Sequence, residues 1–157
     1  MSKRLIFAII LVALLTAGIY FYLAYWRSGA RLAQTNNFFR DPASVSDLRI
    51  GAATRCGFAP FIFPTDGFVG FIWDDSFRIG HRHQGIDIFA GTDIGITPVI
   101  VAYPGYLTRL PDWKSSVIIR VPEDPLQPGR QIWVYYTHMA DKEGNSFISE
   151  EFPAGTT

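Results

Sequence analysis

Three histidines are the scarce chemical groups of this 157-residue chain: His81, His83 and His138. Two of them fall in one short run, His81-Arg-His83-Gln-Gly-Ile-Asp87-Ile-Phe89, which also carries a carboxylate. His83 and Asp87 have the donor types of a zinc site, where imidazole nitrogen and carboxylate oxygen sit at ~2 Å in a tetrahedral shell. On a straight strand, Cα atoms four residues apart are ~13 Å from each other, too far to share one ion. Gly85, midway between them, permits the bend that would close the gap, and it leaves open space beside an ion. A helix would bring positions i and i+4 together directly, but Gly85 and the β-branched Ile86 and Ile88 oppose one. A His–Asp hydrogen bond beside a turn is the other reading of the same spacing.

His138 lies in 131–139 (QIWVYYTHM), the longest strand candidate. Alternation places Ile132, Val134, Tyr136 and His138 on one face, with Trp133, Tyr135, Thr137 and Met139 on the other. A histidine at a strand end bonded to a backbone carbonyl is the plain alternative to a catalytic role. The single cysteine, Cys56, forms no intramolecular disulfide and reads as a small, partly buried hydrophobe.

The elements that must hold these groups read as strands. Composition points the same way: aromatics make up 15% of the chain, with 14 Gly and 10 Pro, a balance suited to a β-rich domain with many turns. Strands are expected at 67–73 (GFVGFIW), 85–89 (GIDIF), 98–102 (PVIVA, a buried apolar run), 116–121 (SVIIRV) and 131–139. The last two form an antiparallel hairpin across a wide Pro/Gly-rich loop. Residues 27–60 show no sustained period and are expected to be a juxtamembrane linker, with one short helix near 45–50.

Residues 5–26 (LIFAIILVALLTAGIYFYLAYW) contain no charge. As a helix, these residues would extend ~33 Å, the thickness of a bilayer's hydrocarbon core. Lys3 and Arg4 precede the run, and Tyr20, Tyr22, Tyr25 and Trp26 gather at its far end like an interfacial belt. A cleaved signal peptide is the competing reading, although its apolar stretch usually spans only ~7–15 residues. Beyond residue 26 the chain has 12 basic and 14 acidic residues, a net charge of −2. That balance gives no electrostatic footprint for nucleic acid, so no nucleic-acid partner is expected.

From about Phe63 onward, the ordered segments together resemble the LytM/lysostaphin family of bacterial peptidoglycan endopeptidases. Phe63-Pro64 before a glycine-containing strand resembles the opening of that domain. His83-Gln-Gly-Ile-Asp87 resembles the family's His-x-Gly-x-Asp metal motif. Gly95-Ile-Thr-Pro98-Val99, then Ala102 and Gly105, resembles its Gly-Thr-Pro-Val…Ala…Gly stretch, with Ala102 one residue late. Tyr136-Thr-His138-Met139 resembles its Tyr-x-His-Leu element.

The resemblance implies a mainly β domain over 61–157: a small antiparallel sheet or sandwich of the lysostaphin-like, duplicated-hybrid-motif type. An N-terminal transmembrane helix (1–26) and the 27–60 linker would precede it. His83 and Asp87 would be zinc ligands and His138 a catalytic histidine, with the substrate a cross-linking peptide of bacterial peptidoglycan. The helix would hold the protein in the cell membrane as a single-pass chain with its domain extracytoplasmic. The family's third ligand comes from a later His-x-His motif, and no histidine follows His138 here. The expectation is therefore a C-terminally incomplete metallopeptidase domain, inactive as it stands. The alternative is a non-catalytic cell-wall-binding or regulatory module of the same fold. His81 lies in the wrong place to replace the missing motif and is expected beside the site or in solvent.

Overall fold

The computed structural model describes residues 2–75 and 81–157, with residues 24–28 described by their backbone alone. Tyr25 and Trp26 of the expected aromatic belt therefore lie outside the described side chains. The protein is mixed α/β: one long N-terminal helix, a short 3₁₀ segment and two small antiparallel sheets. The strands are β1 (Arg49–Ile50), β2 (Gly67–Val69), β3 (Ile88–Phe89), β4 (Tyr106–Thr108), β5 (Val117–Val121) and β6 (Ile132–Tyr136), ordered β1-β2-β3 and β4-β5-β6. The chain forms two compact units, one of Met1–Leu48 with Val69–Phe89, the other of Arg49–Phe68 with Ala90–Thr157.

In the first unit, helix α1 runs from Lys3 to Arg40 without a break. The Ser2 hydroxyl accepts from the Leu5 amide at 3.3 Å and caps its start. Its first 21 residues, Lys3–Leu23, are long and apolar enough to cross a membrane, and their side chains are exposed. The expectation of an irregular linker from residue 27 is corrected here, because the helix continues for fourteen further residues. An established helix propagates at little cost through good formers such as Leu32, Ala33 and Gln34. Tertiary packing then holds the extension, with Thr35 and Phe38, one turn apart, both buried. Phe38 and Phe39 meet Phe89 of β3 at ring-centroid distances of 5.4 and 5.1 Å. The helix ends at Asp41, whose carboxylate accepts from the Ala43 amide and starts the 3₁₀ segment Pro42–Leu48, close to the expected short helix.

In the second unit, β5 is the central strand of the larger sheet. Val117, Ile119 and Val121 point into the core and alternate with half-buried Ile118 and Arg120. The expected β5–β6 hairpin is present and antiparallel, with Ile119 opposite Val134 and Val121 opposite Ile132. Strand β4, not anticipated from the sequence, pairs on the other edge of β5. It needs Gly105 beside it, because a Cβ there would lie 2.4 Å from the Arg120 carbonyl oxygen.

The apolar run 98–102 is not a buried strand. Val99 and Ile100 are exposed, and the segment makes only scattered bonds: Ile100 N–H to the Pro64 carbonyl and Ile62 N–H to the Ala102 carbonyl. Pro98 and Pro64 each lack an amide hydrogen, so a continuous ladder between these two stretches cannot form. A mainly β domain was expected; the two sheets are short, and the helix holds the largest share of the regular structure.

Candidate metal-ligand pair

His83 and Asp87 both belong to the first unit. They lie on a segment folded back against 70–75 by four backbone hydrogen bonds. The Asp74 amide donates to the His83 carbonyl and the His83 amide to the Asp75 carbonyl, each at 2.8 Å. Lower down, the Gly70 amide donates to the Asp87 carbonyl at 3.0 Å and the Asp87 amide to the Phe71 carbonyl at 2.8 Å. Between these two clamps the chain bends at Gly85, as anticipated, and the only atom near a Cβ added there would be His83 Cε1 at 3.9 Å. The bend brings His83 Nε2 to 3.1 Å from Asp87 Oδ1. Both side chains are partly shielded, His83 at 16% exposure and Asp87 at 31%, and the buried Phe71 ring stands edge-on to the imidazole at 6.2 Å.

The second ring nitrogen decides what this pair can do. His83 Nδ1 is 3.2 Å from the Ile72 carbonyl oxygen, an atom that can only accept, so a hydrogen bond there requires the hydrogen on Nδ1. A neutral imidazole has a single N–H: with it on Nδ1 the Nε2 lone pair faces a carboxylate oxygen, and with it on Nε2 the Asp87 carboxylate accepts a hydrogen bond at 3.1 Å. In the Nδ1–H tautomer the two facing atoms are both electron-rich and suit a shared cation, either a proton or a metal ion. Two ligand atoms ~2.0–2.1 Å from a tetrahedral ion are about 3.3–3.4 Å apart, near the separation seen here. A backbone carbonyl holding the far N–H is also how protein metal sites select the ligating nitrogen. The donor set fits two ligands of one zinc shell. Among the described residues, no group of three or more His, Cys, Asp or Glu gathers around one point.

The other sequence candidates fall elsewhere. His81 is half-buried, two residues before the pair. His138 belongs to the second unit and follows the end of β6. Strand β6 keeps the expected alternation through Tyr136, with Trp133 and Tyr135 outward. His138 then departs from it: its φ is +67° and its side chain is exposed, so the backbone has turned out of the strand before reaching it. The Tyr136 hydroxyl accepts from the Ala102 amide at 2.7 Å, tying β6 to the segment before β4. Burial pushes that phenol's pKa up, and the Ala102 hydrogen bond works against the rise.

Sequence spacing did not reveal Asp75 or Arg31. The Asp75 carboxylate is buried and accepts from the Ile72 amide at 2.9 Å, while Arg31 Nε of helix α1 pairs with the same oxygen at 3.2 Å. These residues are far apart in sequence. No family model, no curated protein and no solved structure matches the chain.

Proposed function

We propose that this chain is a membrane-anchored, zinc metallopeptidase-like protein of the LytM/lysostaphin type that acts on the peptide cross-links of bacterial peptidoglycan. In this reading residues 3–23 cross the cell membrane and the remainder is extracytoplasmic. The observation that supports the zinc reading is the His83–Asp87 pair, with Nε2 3.1 Å from a carboxylate oxygen and Nδ1 3.2 Å from the Ile72 carbonyl, an acceptor that suits the Nδ1–H tautomer. Zinc, when bound, supplies Lewis acidity toward a peptide carbonyl and an acidified water. His83 and Asp87 would hold the ion, and the Phe71 ring stands edge-on to the imidazole on one side.

A second reading is favoured by one observation: the described residues bring two donors together, not three. A non-catalytic module of the same fold, binding cell-wall peptides, would need no complete shell.

The test is zinc content of the full chain in detergent micelles, alongside His83→Ala and Asp87→Asn. One equivalent of zinc in the wild type, lost in both variants, is the expected result. A wild type that remains metal-free in micromolar zinc would overturn the metal reading. Incubation with cross-linked muropeptides then separates peptidase from binding module, since only the former releases new amino termini.

A further inference from the structure

We propose that Asp75 and Arg31 are positioning residues for His83, so that helix α1 braces the metal-ligand pair; the inference rests on the zinc reading above. Asp75 controls both ends of His83. Its backbone carbonyl accepts the His83 amide at 2.8 Å and thereby holds the histidine backbone. Its carboxylate accepts the Ile72 amide at 2.9 Å, and its own amide donates to the Ile72 carbonyl at 3.1 Å. That carbonyl lies 3.2 Å from His83 Nδ1 and can accept a hydrogen from it. One residue therefore fixes the chain that bears the ring and the acceptor that selects which ring nitrogen faces Asp87.

The Asp75 side chain is only 3% exposed, so its charge requires a partner, and Arg31 Nε supplies one at 3.2 Å. Arg31 itself is 37% exposed and so can be changed without opening a core. It sits eight residues beyond the last residue of the apolar stretch, ~12 Å farther along the same helix. Partners that orient a metal-ligating histidine typically change metal affinity by ~10–100-fold when removed.

The experiment uses the full chain in micelles with two readouts. The first is zinc affinity, by competition with a chromophoric chelator, for wild type, Asp75→Ala, Asp75→Asn, Arg31→Gln and Arg31→Lys. The second is the position of the His83 ring proton in the zinc-free protein, read from long-range ¹H–¹⁵N correlations with the imidazole neutral. Asp75→Ala is expected to weaken zinc by ~10–100-fold and to spread the ring proton over both nitrogens. Arg31→Gln should weaken zinc less, with Arg31→Lys restoring most of the loss. Asp75→Asn keeps an acceptor for the Ile72 amide but loses the charge, so it should fall between Asp75→Ala and wild type. A folded Asp75→Ala or Arg31→Gln with wild-type affinity and the proton still on Nδ1 overturns the bracing while leaving the zinc reading intact. A wild type that binds no zinc ends the zinc reading instead, and the ring-proton measurement then decides the bracing by itself.

Discussion

Replacing Gly70 by alanine tests the packing that joins helix α1 to the metal-ligand segment. A Cβ at this position would lie 2.3 Å from Phe89 Cε2, 2.7 Å from Phe89 Cδ2 and 3.1 Å from Thr35 Oγ1. Carbon atoms in contact prefer ~3.5–4.0 Å, so the Phe89 ring must retreat by more than about 1 Å. It has little room, since Phe38 and Phe39 already stand 5.4 and 5.1 Å from its centroid. Overpacking of this kind costs ~1–3 kcal/mol. Alanine returns roughly 0.4–1 kcal/mol by restricting the unfolded chain, leaving a net loss of about 1–2 kcal/mol. For a chain of this size that corresponds to a fall in Tm of ~2–8 °C, measurable by near-UV circular dichroism of the full chain in micelles. The displacement also reaches the site, because the Gly70 amide is bonded to the Asp87 carbonyl and Phe89 is two residues farther on. On the proposed zinc reading, zinc affinity should fall with Tm. Phe89→Leu removes the colliding ring edge, so in that background Gly70→Ala should cost little, a coupling of ~0.5–3 kcal/mol. A Gly70→Ala protein melting at or above the wild-type temperature, with Phe89 intact, would refute the reasoning.

Other parts of the structure make separate predictions. The Asp124 carboxyl is held below its ordinary value of 3.8, chiefly by the Leu126 amide and also by Arg130, while burial acts in the opposite direction. A lowered folded-state pKa means the unfolded chain takes up the proton first, so the stabilisation is complete above the ordinary value and is lost as pH falls through the folded one. Thermal melts from about pH 5 downward should therefore drop less steeply for Asp124→Asn than for wild type, from a lower starting point. Tyr136→Phe strips the acceptor from the Ala102 amide and should cost ~1–3 kcal/mol in the second unit, measured by denaturant titration. Because burial raises the Tyr136 pKa, its contribution is complete below the ordinary value of 10.0 and is lost as pH rises through the folded value. The wild type should thus lose stability at alkaline pH in a way that Tyr136→Phe does not.

Local chemistry was enough for the parts of the protein that depend on neighbours in sequence. The uncharged stretch after Arg4 has one helical solution long enough to cross a membrane. The apolar runs SVIIRV and QIWVYY, separated by a proline- and glycine-rich connection, specified the β5–β6 hairpin, and alternation gave which residues of β6 share a face. Gly85 between His83 and Asp87 marked where the chain bends to bring Nε2 and Oδ1 together. Tertiary structure decided the rest. Residues 27–40 carry no strong period, and their helix persists because Thr35 and Phe38 find burial against residues far ahead in the chain. The run 98–102 has the apolar content of a buried strand, yet prolines on both sides of its pairing deny it a ladder. His138 leaves the face that alternation assigned it because one positive φ turns the chain. The bracing of His83 by Asp75 and Arg31 lies beyond any spacing rule, since a buried carboxylate's partner is chosen by proximity in the folded chain and not by distance along it.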